Sequence, residues 1–144
     1  MIISKARELV AGRTGVAEQA RALAGWTSRW LVDTVDDSGS ALAALQKKSG
    51  NCQSHSKLYT ALARAVGIPT RFVSGLVSQD GRGFLYHSWA ESWINGRWVA
   101  IDPTFDQLPA DPTHLALFEG HTVAELSPLV GIIGKIKVTV LDER

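Results

Sequence analysis

The sequence predicts an α+β fold, in which a helical first half is followed by an antiparallel sheet. Two observations support this prediction. Apolar residues recur every three or four positions as far as Gly67, and they alternate with polar residues after Pro69. In addition, the pair Asn95-Gly96 joins two alternating segments, which is the strongest short-range signal of a β-hairpin.

Residues 1–49 form the predicted helical N-terminal part. Apolar residues at helical spacing indicate one helix over residues 3–12 and a second over residues 16–35. The tripeptide Ser38-Gly39-Ser40 interrupts this pattern, and its last serine can cap a short helix that runs to about Lys48.

Residues 50–69 contain the strongest helix signal, which covers residues 52–66 and begins at Cys52. Its apolar stripe includes Leu58 and Leu62. Gly67 supplies the left-handed conformation that ends many helices, and Pro69 prevents continuation.

Residues 70–144 are predicted to form the antiparallel sheet with one short helix. The predicted strands cover residues 70–78, 84–94, 97–102, 113–117 and 135–141, with a turn at 80–83 and a helix near 123–129. No repeat, low-complexity tract or long linker divides the chain, so we expect a single domain over residues 1–144.

Composition argues against several classes of function. The hydrophobic content of 45% and charged content of 20% are typical of a soluble globular protein. The net charge is +1 and the basic residues are scattered, so we expect no nucleic-acid partner. Every apolar run is interrupted before the roughly 18 residues that a membrane span needs, and the N-terminus resembles no secretory signal. We therefore expect no membrane contact within this chain.

Cys52 is the only cysteine, so the fold needs no intramolecular disulfide. A single thiol is either a buried apolar group or a reactive one. Its predicted position at the first residue of a helix favours reactivity, because unpaired backbone N–H groups and the helix dipole stabilise a thiolate. We also expect the small Gly50 to leave room for an approaching substrate.

The predicted hairpin brings a histidine to an aspartate. Pairing outward from the two-residue loop puts Trp89 opposite Asp102, and His87 shares the face of Trp89. The backbones of His87 and Asp102 are then about 7–8 Å apart, which their side chains can span. An aspartate that accepts from one ring nitrogen leaves the other free to take a thiol proton. The spacing does not itself place Cys52 against His87.

Four stretches resemble the core of the transglutaminase-like superfamily. They are Gly50-Asn51-Cys52, LARAVGIPTRFVSG at 62–75, HSWAE at 87–91 and WVAIDPT at 98–104. The resemblance is dense over residues 41–104 and loose outside them. It implies a papain-like fold, with the cysteine helix packed on an antiparallel sheet.

The resemblance also implies roles for individual residues. Cys52 corresponds to the nucleophile, His87 to the general base and then acid, and Asp102 to the carboxylate that orients the histidine. The family transfers acyl groups from amides, to water in a peptidase or amidase and to an amine in a crosslinking transferase. We rank hydrolysis of a peptide or peptide-like amide first, with a protein or peptide as substrate and no cofactor.

Further candidates concern the oxyanion and the lining of the site. The backbone N–H of Cys52 is a natural oxyanion donor. Gln46 is placed similarly to the oxyanion glutamine of papain-like proteases, although a solvated helix residue is the alternative. Asn51 and Trp89 are candidates for the site lining. Trp89 is otherwise interpreted as core, like Trp93 and Trp98.

A zinc site built on Cys52 and His55, with His87 and Asp102, is the rival chemical hypothesis. The chain has no second cysteine and no His-Glu-x-x-His motif, so no metal is predicted. His55 is expected to line the site or to pack near the helix start.

The remaining polar residues are interpreted as structural. His114 and His121 are assigned to structural or surface positions, with a role for His114 at the rim of the site as the alternative. Glu91 is expected to pair with Arg64 or Arg71. A peptide-binding module without catalysis is the non-enzymatic alternative. The early start of helical periodicity suits a domain excised from a longer bacterial protein, so cytoplasm and periplasm stay open, as does the oligomeric state.

Overall fold

The computed structural model describes residues 1–78, 80–81, 83–132 and 134–139 and has the α+β architecture that the sequence predicts. The helices are α1 (Ile2–Val10), α2 (Val16–Trp30), α3 (Ala41–Lys47) and α4 (Cys52–Ala65), with a 3-10 helix at Val123–Gly131. The strands are β1 (Val32–Asp33), β2 (Ser49–Gly50), β3 (Thr70–Ser78), β4 (Phe84–Ile94), β5 (Arg97–Ile101) and β6 (His114–Gly120). The second half of the chain forms an antiparallel sheet of order β5-β4-β3-β6. Strands β1 and β2 pair with each other in parallel.

The helical N-terminal part differs from the prediction at the end of α2. This helix ends at Trp30 rather than near residue 35, because Leu31 is extended. Val32 and Asp33 then pair with Ser49 and Gly50. The periodicity that continued beyond Trp30 therefore did not indicate more helix. The cap of α3 is as predicted, since the Ser40 side chain accepts from the Ala43 N–H.

The hairpin has the predicted register. Ile94 pairs with Arg97, and the ladder continues to Ala90 and Ile101. The ladder ends at Ile101, one residue before the predicted end of the strand, because the backbone N–H and C=O of Asp102 bond instead to Gln107. The chain turns at once after β5, so the Asp102 side chain lies at the end of the strand.

The C-terminal part departs further from the prediction. β6 is longer than residues 113–117, because it pairs with β3 as far as Gly120. The predicted helix is a 3-10 helix. The predicted last strand is wrong for residues 135–139, which have no strand pairing, and residues 140–141 lie outside the described residues. Ile136 and Val138 instead line an apolar groove with Leu76 and Leu117, which explains their alternation.

Helix α4 packs on the sheet through an apolar face and a chain of buried hydroxyl groups. Leu58 and Leu62 are fully buried in the core. The Tyr59 hydroxyl lies 2.8 Å from Ser92 Oγ on β4, which lies 2.8 Å from Thr70 Oγ1 on β3. These contacts fix the helix relative to the sheet, and they thereby fix Cys52 at its first residue.

No helix in the described part of the chain combines the length and apolar character needed to cross a membrane.

Candidate active site

The first turn of α4 holds Cys52 with an unoccupied backbone donor. The Asn51 side chain caps the helix, because its oxygen accepts from the N–H groups of Gln53 at 3.1 Å and Ser54 at 3.2 Å. The Cys52 N–H has no hydrogen-bond partner among the described residues. Cys52 itself is half-buried. Asn51, a candidate for the site lining, thus uses its side-chain oxygen to hold the helix end.

Gly50 has a different role from the expected one. It is buried, and a Cβ atom there would overlap with the side chain of Ser54. The Ser54 hydroxyl also accepts from the Ser38 N–H at 2.8 Å. The absence of a side chain at position 50 is therefore required by packing against the helix rather than by space for a substrate.

His87 and Asp102 meet as the hairpin geometry predicts. His87 Nε2 lies 2.6 Å from Asp102 Oδ2, and His87 is only 5% exposed. Its ring stacks on Phe105, with ring centroids 4.8 Å apart and an interplanar angle of 14°. The ring is thus fixed both by the carboxylate and by an aromatic neighbour.

Asp102 is fully buried, and all its oxygens are engaged. Oδ1 accepts from the backbone N–H groups of Thr104 at 2.8 Å and Phe105 at 3.2 Å. Oδ2 faces the imidazoles of His87 and His114. Burial raises the pKa of Asp102, but the bonds from His114 and His87 outweigh burial and bring this pKa far below its usual value. The carboxylate is therefore ionised across the range in which proteins are stable.

The thiol of Cys52 lies beside the His87 ring. Burial lowers the pKa of His87, but hydrogen bonding and charge interaction with Asp102 and Cys52 outweigh burial and raise this pKa to about 9. Nε2 is engaged by Asp102, so Nδ1 is the nitrogen left for the thiol. No sulfur–nitrogen bond of regular geometry joins the two described side chains, and such bonds commonly tighten only when substrate is present.

The edge of the sheet gives access to this ring. β5 pairs with β4 only at residues 90–94, so the segment of β4 that carries His87 has no β5 partner. The start of α4 lies near this segment, because the Gln53 side chain reaches the Tyr86 hydroxyl at 3.4 Å.

His114 belongs to the same cluster, which the sequence analysis missed. Its Nε2 lies 2.7 Å from Asp102 Oδ2, and its side chain is 4% exposed. The surface option of its assignment is therefore wrong, and His114 lies at the site, as the alternative allowed. On β3, Val77 pairs with His114 of β6, and Gly75 pairs with His87 of β4. Because Val77 and Gly75 are two residues apart on one strand, His114 and His87 share one face of the sheet. That pairing is non-local, and no periodic signal in the sequence indicates its register.

Gly75 lies on β3, between the strands of His87 and His114, and allows β6 to approach β3 closely. It pairs with His87 on β4 and with Ala116 on β6, next to a bulge. A Cβ atom at position 75 would overlap with the backbone oxygen of Leu115 and approach the Trp89 ring to 3.0 Å. The absence of a side chain therefore lets β6 and the Trp89 ring approach β3 closely, and the centroids of the two imidazoles are 5.8 Å apart.

The three tryptophans of the hairpin divide into a buried residue and an exposed pair. Trp89 is 1% exposed, stacks on His87 at 6.0 Å and meets His114 edge-on at 5.0 Å, so it forms the floor under both imidazoles. Trp93 and Trp98 are 42% and 36% exposed and pack edge-to-face. Their assignment to the core was wrong, because they pack on each other outside it.

The other polar candidates lie at identifiable positions. Gln46 is exposed on α3, and within the described residues it makes no hydrogen bond to Cys52 or His87. His55 is buried near the helix start, where its Nδ1 lies 2.9 Å from the Asn51 carbonyl oxygen. His121 is exposed.

The ion pair expected for Glu91 is made by Arg71. Arg71 Nη2 lies 2.6 Å from Glu91 Oε2 on β4, and Nη1 lies 2.7 Å from Glu119 Oε2 on β6. Its guanidinium also lies 4.4 Å from the centre of the Trp98 ring. Arg64 instead donates to the carbonyl oxygens of Thr70 and His121.

Three side chains of the cluster carry atoms that metals bind. The ligand atoms of His87, Asp102 and His114 lie within 4.8 Å of one another. However, the two Nε2–Oδ2 distances of 2.6 and 2.7 Å are hydrogen-bond distances. Two ligands about 2.0 Å from a tetrahedral zinc ion are about 3.3 Å apart. The arrangement is therefore that of two hydrogen bonds to one oxygen.

Comparison with known proteins places these residues in a family. The model of the transglutaminase-like superfamily matches residues 3–103. An uncharacterized protein of Mycobacterium tuberculosis is 34% identical over 102 residues, which cover 62% of this chain and 32% of that protein. An uncharacterized protein of Mycobacterium leprae is 29% identical over 123 residues, or 78% of this chain and 42% of that protein. The chain thus spans about a third to two-fifths of the length of these relatives.

Solved structures share the fold at low identity. A protein of Cytophaga hutchinsonii described as a candidate cysteine protease has a TM-score of 0.75 at 20% identity, over 86% of this chain and 43% of that one. Legionella pneumophila LapG has a TM-score of 0.63 at 12% identity, over 93% and 81% of the two chains. A protein described as a TGase has a TM-score of 0.54 at 17% identity, over 72% and 30%.

Proposed function

Because the chain belongs to the transglutaminase-like superfamily, we propose that Cys52 is the nucleophile of an acyl transfer from amide substrates, assisted by His87 and Asp102. The observation that carries the proposal is the His87–Asp102 contact of 2.6 Å, together with a thiol beside the same ring. An imidazole that is fixed by a carboxylate and adjacent to a thiol is the arrangement that activates a cysteine nucleophile.

The proposed reaction has two half-reactions. The Cys52 thiolate attacks the amide carbonyl carbon, and the tetrahedral intermediate collapses with cleavage of the C–N bond while the His87 imidazolium gives its proton to the leaving amine. This leaves an acyl thioester on Cys52. In the second half, His87 takes a proton from water or from an acceptor amine as it attacks the thioester, and the thiolate leaves. The Cys52 thiolate and the His87 imidazolium are then restored.

The free N–H of Cys52 supports a place for the oxyanion. Asn51 occupies the next two N–H groups of the helix, so the Cys52 N–H is the donor left for a negatively charged oxygen. One such donor is typically worth about 2.7–4 kcal/mol in the transition state. Gln46 stays a prediction as second donor, without support from its exposed position.

We propose peptides or peptide-like amides as substrates, with hydrolysis ranked before transfer to an amine. An apolar groove of about 410 Å³ is lined by Leu76, Phe84 and Tyr86, among others. Tyr86 also contacts Gln53, the residue after the nucleophile. The groove therefore adjoins the residue that follows Cys52 and is suited to an apolar side chain, which protein or peptide substrates offer.

The test is activity-based labelling with a panel of electrophilic peptides, with and without an added amine. We expect labelling at Cys52, loss of turnover in Cys52→Ala with retained fold, and a strong decrease in His87→Gln. His121→Gln is a matched control, because this histidine is exposed and its backbone contacts Arg64 in the last turn of α4, whereas Cys52 is the first residue of that helix. Full turnover in Cys52→Ala would rule the mechanism out, and the product formed with amine present decides between hydrolase and transferase.

The rival proposal is a peptide-binding module without catalysis. Iodoacetamide distinguishes the two, because a thiol that is activated by a neighbouring imidazole reacts faster than an unassisted one. Fast stoichiometric alkylation at pH 6 is expected for the enzyme. Alkylation no faster than that of a free thiol, whose pKa is about 8.5, would favour the binding module.

A further inference from the structure

A single carboxylate oxygen in the cluster faces two imidazoles. His87 Nε2 lies 2.6 Å and His114 Nε2 lies 2.7 Å from Asp102 Oδ2. An ionised carboxylate only accepts hydrogen bonds. Each of the two Nε2 atoms must therefore carry a proton, so that both rings donate to the same oxygen.

The second nitrogens of the two rings have different partners. His114 Nδ1 lies 3.1 Å from the backbone oxygen of Asp111 and 3.1 Å from Asp111 Oδ1. Both are acceptors, so this nitrogen must also carry a proton. The free side of His87 faces Cys52, whose sulfur can donate or accept a proton. His87 can therefore change its charge during a reaction, whereas His114 has no acceptor role open to it.

We propose that His114 is a positioning residue that carries a proton on both ring nitrogens at neutral pH, holds Asp102 in place and offsets part of its negative charge. This role rests on the proposed function, whereas the charge of His114 rests on hydrogen-bond geometry. With the offset, Asp102 orients His87 without binding its proton as tightly as an unopposed carboxylate would. His87 can then alternate between acid and base, as the two half-reactions require.

The surroundings of His114 support a cation at this position. Burial lowers the pKa of His114, but its bonds with Asp102 and Asp111 outweigh burial and raise this pKa above the ordinary value. The titratable groups that face the ring are Asp102, Asp111 and His87. The other ring contacts are with Trp89 and Phe105, whose centroids lie 5.0 and 6.4 Å away.

The first experiment is nuclear magnetic resonance of the whole chain labelled with ¹⁵N-histidine. At pH 7 a free histidine is mostly neutral, because its ordinary pKa is about 6.5. We expect both ring nitrogens of His114 to show the chemical shift of a doubly protonated ring at this pH. A neutral tautomer with one unprotonated nitrogen would overturn the proposal.

The second experiment measures the titration midpoint of His87 in His114→Gln. Glutamine keeps an N–H donor for Asp102 but removes the charge, so we expect the His87 midpoint to rise by about one pH unit. A residue with only a packing role would leave the midpoint unchanged, or lower it by loosening Asp102. Either of those results would overturn the proposal. His121→Gln is the control that should leave the His87 midpoint in place.

Asp111→Asn provides a second variant in case His114→Gln does not fold. It removes the anion beside Nδ1 and keeps the backbone acceptor, so the midpoint of His114 should fall by about one pH unit. An unchanged midpoint would contradict the proposed charge. None of these measurements needs a substrate. An unreactive Cys52 beside a protonated His114 would therefore contradict the proposed function alone.

Discussion

The two histidines that contact Asp102 are joined to it by different kinds of chain segment, a regular hairpin for His87 and an irregular loop for His114. His87 lies 15 residues from Asp102, across a regular hairpin with a two-residue turn. His114 is closer in sequence, at 12 residues, but the segment between is an irregular loop that doubles back. The loop is fixed by isolated contacts, such as the bond from the Ala110 N–H to the Ala100 oxygen at 2.8 Å. Regularity, rather than sequence distance, decides whether a contact can be predicted.

This comparison also separates two kinds of stabilisation in the site. The hairpin between His87 and Asp102, here called the hairpin side, is held by the β4–β5 ladder, in which each residue pair positions the next. The loop side is held by a few side chains, among them Asp111, which accepts from both His114 and Thr113. We therefore expect changes on the two sides to differ in size, and the following variants test that difference.

The largest effect is expected from Asp102→Asn, because it removes the charge that both sides share. In a related triad the equivalent change costs about 10⁴-fold in rate, because the histidine takes the wrong tautomer. We expect a decrease of about 10³–10⁴-fold in turnover of the best peptide of the panel, with substrate binding retained. Asp111→Asn changes only the loop side and an exposed carboxylate, so its decrease should stay below about tenfold. Equal effects of the two variants would remove the distinction.

The hairpin side should also make stability depend on alkaline pH. The pKa of His87 is raised from 6.5 to about 9, so the folded state keeps a proton that the unfolded state releases. This contribution is fully present below about pH 6.5 and is lost as the pH rises through about 9, by roughly 3 kcal/mol. Urea unfolding between pH 6 and 9.5 measures it. His87→Gln should show a flatter profile, and an equally steep one would contradict this assignment.

Gly75→Ala tests the strand that separates the two sides. The added methyl group would overlap with the Leu115 oxygen and press on the Trp89 ring, so we expect a loss of about 1–3 kcal/mol in unfolding free energy. Gly131→Ala is the matched control, because a Cβ atom there meets no atom of the described residues within 4 Å. If Gly75→Ala unfolds at the same urea concentration as the parent, the close approach of β3 and β6 is not as tight as described.

The smallest effect is expected at the start of α4. Asn51→Ala removes the acceptor for two helix N–H groups and should cost about 1 kcal/mol in unfolding free energy. Ser40→Ala removes a single cap bond from the short helix α3 and should cost less. Slower alkylation of Cys52 in Asn51→Ala alone would show that the cap also holds the thiol. Identical costs in urea unfolding would indicate that the number of cap bonds does not matter here.

The features that the sequence predicts correctly are those that depend on residues close together in the chain. The helix of Cys52, the hairpin register and the approach of His87 to Asp102 depend on period, cap and turn residues that lie next to one another in sequence. The end of α2 was missed because Leu31 and Val32 continue an apolar pattern, whereas Leu31 is extended and Val32 pairs with the distant strand β2. The non-strand state of residues 135–139 was missed for the converse reason, since alternation indicates a half-buried segment without indicating a partner.

The site itself shows the same limit. His114 could not be assigned because its register depends on β6 pairing with β3 next to a bulge. The reason for Gly50 was also misjudged, since the neighbouring Ser54 side chain is placed by contacts with Ser38 and Asp37 in a preceding loop. Both errors concern residues whose neighbours arrive from elsewhere in the chain.

The ion pairs of Arg71 connect the two sides at a distance from the chemistry. One guanidinium on the central strand bridges carboxylates on both neighbouring strands, Glu91 on the strand of His87 and Glu119 on the strand of His114. Glu119 is partly exposed, so dissolved ions weaken its attraction to Arg71. The attraction that holds the strand of His114 to the central strand should consequently weaken as ionic strength rises, although no mobile ion needs to reach the buried carboxylate between the two imidazoles.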